Sequence, residues 1–146
     1  MSDPLPIDLA FTWRYRHALG ALAPFFDGLG TGRAVAARCR TCARAWFPPR
    51  ADCAEHGGSL EWVDLSGEGT VIALTDGTLA RPPSGAPAPA RIALVSLDGA
   101  ENAAIGPVVG DLPVTIGSRV RLERADGPIA HPIQAMQFRA IVTPRR

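Results

Sequence analysis

Residues 38–62 read RCRTCARAWFPPRADCAEHGGSLEW, and this stretch decides how the rest of the chain is organised. It holds all three cysteines, first as Cys39-Arg40-Thr41-Cys42 and then, ten residues on, as Cys53-Ala54-Glu55-His56. A two-residue gap lets both ligands of such a knuckle face one point while backbone N–H groups turn toward the sulfurs. Three thiolates and one imidazole make a tetrahedral donor set that suits zinc, a borderline-soft ion. Protein would fill all four positions, leaving none open for water, so the expected metal is structural. The predicted ligands are Cys39, Cys42, Cys53 and His56. Three alternatives stay open: a redox pair at Cys39/Cys42, which would want a βαβ context not seen here, a Cys/His nucleophile pair, and a metal-free knuckle. The residue after the second cysteine is often Gly, to accept a left-handed turn, and here it is Ala43; Gly57 and Gly58 follow the second knuckle. Three thiolates on a zinc ion leave about one negative charge. Arg38, Arg40, Arg44 and Arg50 surround the ligands and suit that charge without any need of nucleic acid.

Downstream of the knuckles the pattern is all-β. Short β-prone runs span Trp62 to Leu65, Thr70 to Thr75, Ile92 to Leu97, Ala103 to Val109, Val120 to Glu123 and Ile133 to Val142. Gly67 and Gly69 separate the first two. Asp-Gly pairs at 76–77, 98–99 and 126–127 read as hairpin turns, and the Pro/Ala-rich residues 80–90 as an exposed loop. Five or six short strands after a cysteine module predict a partly open barrel of the oligonucleotide/oligosaccharide-binding (OB) type. Upstream, Phe11, Tyr15, Ala18/Leu19 and Leu22 recur at helical spacing behind a possible Asp8 cap, which predicts a helix over 8–26 stopped or kinked by Pro24. Asp27 to Gly32 reads as a turn into a strand over 34–37, not as a phosphate loop. The expected organisation is a helical segment and lead-in strand over 1–37, the cysteine module over 38–62 and the barrel over 63–146. His17 and His131 are isolated and read as structural, and Trp46-Phe47-Pro48-Pro49 as packing for the module.

Composition bounds the function. The 146 residues carry 15 basic side chains, all arginine, against 14 acidic ones, a net charge of +1. So balanced a chain lacks the basic excess of a strong nucleic-acid binder. From Gly67 on Phe138 is the sole aromatic, too few for the stacking surfaces of a single-stranded nucleic-acid-binding OB protein, the competing reading. An odd number of clustered cysteines suits a reducing compartment and metal better than a disulfide framework. No run approaches membrane-spanning length and the start lacks a positive leader region, so a cytoplasmic location is expected.

The residues then resemble one family. Phe25-Phe26-Asp27-Gly28-Leu29, Arg38-Cys39-Arg40-Thr41-Cys42, Trp46-Phe47-Pro48-Pro49-Arg50, Cys53-Ala54-Glu55-His56, Leu60-Glu61-Trp62-Val63 and Ser66-Gly67-Glu68-Gly69-Thr70-Val71 are similar to the zinc-ribbon plus OB-fold proteins catalogued as domain of unknown function 35. The likeness continues more loosely through Ala93 to Asp98, Ile116 to Val120 and Gln137 to Arg139. It implies a mainly β protein with an N-terminal helical segment, a rubredoxin-like zinc ribbon and a C-terminal OB barrel. It also implies zinc ligation by Cys39, Cys42, Cys53 and His56, although the family usually has Cys in the last place and Gly at position 43. As function, the resemblance implies a non-catalytic accessory subunit of a thiolase-type, acyl-CoA-processing complex. Such a subunit would stabilise a thiolase-like partner and lend surface to its CoA or acyl channel. The catalytic groups would then be the partner's, and no catalytic residue is nominated here. An N-terminal segment rich in Phe11, Trp13, Tyr15, Phe25 and Phe26 suits such an interface.

Overall fold

Among the described residues eight strands build two sheets that share a hydrophobic core. The computed structural model describes residues 7–80 and 85–142. After a 3-10 turn at Gly20–Leu22, helix α1 spans Ala23–Gly30. Strands β1 (Ala34–Arg38), β2 (Ala45–Trp46) and β3 (Glu61–Leu65) form an antiparallel sheet in the order β2-β1-β3. Strands β4 (Glu68–Leu79), β5 (Ala88–Leu97), β6 (Ala103–Val109), β7 (Arg119–Arg124) and β8 (Met136–Ala140) close into a barrel in the order β4-β5-β6-β8-β7. Neighbours in the barrel are antiparallel except β6 and β8, which run parallel through Val108–Phe138 and Val109–Arg139. This is a five-stranded OB barrel, as expected, but closed rather than partly open, because β7 pairs back onto β4 at Glu68 to Thr70.

Period-two burial fills the barrel. Val71 of β4, Ala93, Val95 and Leu97 of β5, Val120 and Leu122 of β7 and Phe138 of β8 all point inward and are buried. Each of the Val, Leu and Phe side chains among them contributes about 1.5–3 kcal/mol. The same cluster takes in Phe25 and Leu29 of α1, Ala34 and Ala36 of β1, Ala45 of β2 and Phe47 just after it. The cysteine-bearing sheet and the barrel therefore share one hydrophobic core.

Several local expectations are corrected. No helix covers residues 7–19, and the helix that forms begins at Ala23. Pro24 lies in its first turn, where a missing N–H and a fixed φ favour initiation, so it starts the helix it was expected to stop. In residues 7–15 the large apolar side chains fall on every second position, which no helical face can collect. Asp27, Gly28, Leu29 and Gly30 are helical, and the turn is confined to Thr31-Gly32. Asp76-Gly77 lies inside β4, paired with Arg91 and Ala90 of β5, and is no turn. Ala88 to Ala90 of the expected loop join β5; Pro89 is tolerated because β6 pairs β5 only from Arg91 on, leaving that end with one neighbour. Residues 81–84 of that loop lie outside the described residues. Gly69 is within β4, where a Cβ would stand 2.5 Å from the Ser96 carbonyl oxygen. Asp98-Gly99 does turn between β5 and β6, while Asp126-Gly127 belongs to a longer connection through a 3-10 turn at Pro132–Ala135. The run at 133–142 is a strand only over Met136–Ala140.

Candidate metal centre

Two tight turns bring the four expected ligands together. In the first, which joins β1 to β2, the Ala43 N–H donates to the Cys39 carbonyl (2.9 Å) and the Cys39 N–H to the Arg44 carbonyl (2.9 Å). In the second, the Gly57 N–H donates to the Cys53 carbonyl (2.8 Å). Ala43 and Gly57, each four residues after a cysteine, both have φ of 59°. Chain reversal at that point frees the preceding backbone N–H groups to face the sulfurs. The N–H of Cys42 holds the Cys39 thiol below its ordinary value against the opposing effect of burial. The N–H of Glu55 does the same for Cys53. Cys42 also receives the N–H of Arg44, yet burial and the neighbouring thiols leave it raised.

The ligand atoms of Cys39, Cys42, Cys53 and His56 all lie within 4.8 Å of one another. The Cys42 and Cys53 sulfurs are 3.9 Å apart, and His56 Nδ1 is 3.5 Å from Cys53 Sγ and 3.9 Å from Cys39 Sγ. A tetrahedron with metal–sulfur bonds of about 2.3 Å and a metal–nitrogen bond of about 2.0–2.1 Å has edges of about 3.8 Å (S···S) and about 3.6 Å (S···N). Three of the six donor–donor distances come close to these edges, and the cluster can hold a metal. Cys39 and Cys53 are buried, Cys42 is half-buried and His56 is exposed. Trp46 and Leu60 pack around them.

The four arginines around the knuckles each have a partner within the chain. Arg38 forms a 2.6 Å ion pair with Glu61, and Arg40 reaches the same carboxylate at 3.4 Å. Arg38 beside it holds the Glu61 carboxyl below its usual range. Arg44 pairs with Glu55, which ties the first knuckle to the second. The Arg50 guanidinium lies over the Trp46 ring, 5.6 Å from its centroid.

Sequence reasoning missed the groups that bolt this centre to the barrel. Asn102, just before β6, accepts from the Phe47 N–H (2.7 Å) and donates to the Pro48 carbonyl (3.0 Å). The Glu101 N–H donates to the Ala45 carbonyl (2.8 Å). An asparagine so distant in sequence carries no motif, so nothing local could have singled it out. Trp46 and Phe47 divide the packing expected of them: Trp46 covers the cysteines and Phe47 enters the shared core. The other histidines stay away from the cluster. The His131 Nδ1 caps the 3-10 turn by accepting from the Ile133 N–H, and its ring meets Phe26 edge-on; His17 stacks on Tyr15.

The family model described as the ChsH2 C-terminal OB-fold domain matches residues 62–124. A chain of the solved structure described as the Ltp2-ChsH2(DUF35) aldolase is similar at 26% identity, over 87% of this chain and 100% of that one, with a TM-score of 0.66. A protein of unknown function from the DUF35 family of Sulfolobus solfataricus shares the fold at 20% identity, over 87% of this chain and 90% of that one, with a TM-score of 0.59. No curated protein matches the chain. Among the described residues no helix is long and apolar enough to cross a membrane.

Proposed function

We propose, starting from the likeness of this chain to DUF35 OB-fold proteins, that it works as a non-catalytic accessory subunit of a thiolase-type, acyl-CoA-processing complex in the cytoplasm. The observation that carries this reading is the likeness, across ribbon and barrel together, to a chain of an aldolase whose description joins ChsH2 to Ltp2. In this role the chain stabilises its enzyme partner and contributes surface to the CoA or acyl channel. The partner supplies the nucleophile and the base.

The metal in this reading is one zinc per chain, held by Cys39, Cys42, Cys53 and His56. Four protein donors close the coordination sphere, so the ion supplies cross-linking of the two knuckles and takes no part in turnover. The residues of the chain do the rest: Arg44 and Glu55 tie the knuckles, and Asn102 fixes the ribbon against the barrel. The competing nucleic-acid reading gains nothing from the barrel. Phe138, its one aromatic, is 0% exposed, and Arg91, Arg119, Arg121 and Arg139 are each paired with a carboxylate.

Purification of the tagged full chain with its bound protein, followed by mass spectrometry and activity assays, tests the proposal. The expected result is a stoichiometric thiolase-like subunit whose turnover falls when this chain is removed. Turnover by the pure chain alone, lost on a point substitution within it, overturns the accessory reading. Sub-micromolar binding of a single-stranded oligonucleotide at physiological salt would restore the competing one.

A further inference from the structure

The sequence Ile7-Asp8-Leu9-Ala10-Phe11-Thr12-Trp13-Arg14-Tyr15-Arg16-His17 carries a large apolar or aromatic side chain at every odd position. Its even positions are small, polar or basic. Period two is the signature of a strand with one face to be buried, and the enrichment in Ile, Phe, Trp and Tyr agrees with it. Yet residues 7–19 join neither sheet, and the odd side chains lie open to solvent: Ile7 at 79%, Phe11 at 74%, Trp13 at 84% and Tyr15 at 81%. The three aromatics alone offer about 450–750 Å², most of the roughly 800 Å² per partner that a standard interface buries.

We infer that residues 7–17 are a donor strand that adds to an open sheet edge of the enzyme partner. The odd side chains pack on an apolar surface there, and Arg14 and Arg16 face an acidic rim. The inference rests on the accessory-subunit reading and specifies how that subunit is held. Strand addition combines main-chain hydrogen bonds for affinity with alternate side-chain pockets for specificity, and this arm offers both. The open edges of β3 and of the far half of β4 in this chain are poor acceptors. The outer edge of β3 carries the Arg38–Glu61 and Arg33–Asp64 ion pairs, and the half of β4 beyond β7 carries the Asp76–Arg91 pair beside Gly77. Charged, irregular edges of this kind are ones that proteins use to discourage pairing. The acceptor is therefore placed on the enzyme and not on a second copy of this chain.

The test uses the complex reconstituted from the full chain and the purified enzyme subunit that accompanies it. Amide exchange is read residue by residue by NMR on labelled chain. Strand addition slows every second amide between 7 and 17 at least about tenfold on binding, while those between stay fast. Trp13→Asp weakens the complex at least about tenfold, Thr12→Ser leaves it unchanged, and both variants melt like the parent because the arm lies outside the fold. A contiguous block of slowed amides would mean that the arm folds as a helix on the enzyme and overturns the inference. So would a stable complex with the arm unprotected, which leaves the accessory role standing. Arm protection in the chain alone, with a dimer abolished by Trp13→Asp in sedimentation, overturns the choice of acceptor. Failure to obtain any enzyme complex removes both readings together.

Discussion

The two cysteine knuckles are built to one plan with different materials. Each begins with a buried cysteine, Cys39 or Cys53, whose carbonyl accepts from the N–H four residues on. Each reverses at that residue with φ of 59° and offers a second, more exposed candidate ligand three residues after the first. The first knuckle uses Ala43 for the reversal and Cys42 as second candidate ligand, and the second uses Gly57 and His56. The first is also a hairpin between paired strands, bolted to the barrel through Glu101 and Asn102. Backbone strain is thus carried where the scaffold is stiff. A left-handed alanine costs about 1–2 kcal/mol, and strands β1 and β2 hold it in place. The second knuckle lies outside any sheet and has the residue that adopts the same turn freely.

The largest break in this comparison is loss of a buried ligand. With zinc bound as proposed, Cys39→Ala and Cys53→Ala should each reduce metal from one ion per chain to near zero. Stability should fall by several kcal/mol, because binding of about 10–16 kcal/mol is coupled to folding at closed sites. Metal analysis with X-ray absorption checks the set of three sulfurs and one nitrogen; three freely titrating thiols and no metal in fresh protein would sink it. His56→Cys should keep one ion per chain. Next in size is Asn102→Ala, which leaves the buried Phe47 N–H unpaired and should cost about 1–3 kcal/mol in denaturant unfolding. Metal content should not change, because only the anchoring of the first knuckle is lost.

Smaller effects sharpen the contrast of the reversing residues. Ala43→Gly should stabilise the chain by about 1 kcal/mol and Gly57→Ala should destabilise it by about as much. A Cβ at Gly57 meets nothing within 4 Å, so the second change isolates the backbone. Thermal melts of both variants with metal present decide the matter, and a destabilised Ala43→Gly would contradict it. Smallest are the surface charges. Arg44→Ala should cost about 0.2–1 kcal/mol, and less in high salt. The folded Glu61 carboxyl titrates below its ordinary 4.5, so its pairing with Arg38 stabilises above that range and is lost as pH falls below it. The stability difference between the parent and Glu61→Gln should accordingly shrink in acid.

What the sequence made legible followed physical locality. The clustering of Cys39, Cys42, Cys53 and His56 could be read because a knuckle is set by four or five consecutive residues. The barrel could be read because Ile92 to Leu97 and Ala103 to Val109 are short apolar, β-prone runs set apart by the Asp98-Gly99 turn. Errors arose where long-range pairing overrode local signals. Asp76-Gly77 resembles a turn, but β5 opposite it holds it in a ladder; Pro89 reads as loop, yet an edge position accepts it. In the arm, Phe11, Tyr15 and Leu22 fit the spacing of a helical face, but the fuller pattern from Ile7 to His17 alternates with the period of a strand. The clamp at Asn102 could not be read at all, since only the fold brings it to Phe47.

Helix α1 seats directly against β1: a Cβ on Gly28 would come within 2.4 Å of Val35 Cγ2, so the helix cannot ride higher without lifting off the core. That close seat fixes the root from which the N-terminal arm departs. Thirteen residues, 7–19, extend at most about 45 Å from it. The chain is therefore a docked body with a tether of defined span. An acceptor edge must lie within that radius of α1, which turns a geometric limit of one subunit into a constraint on the architecture of the other.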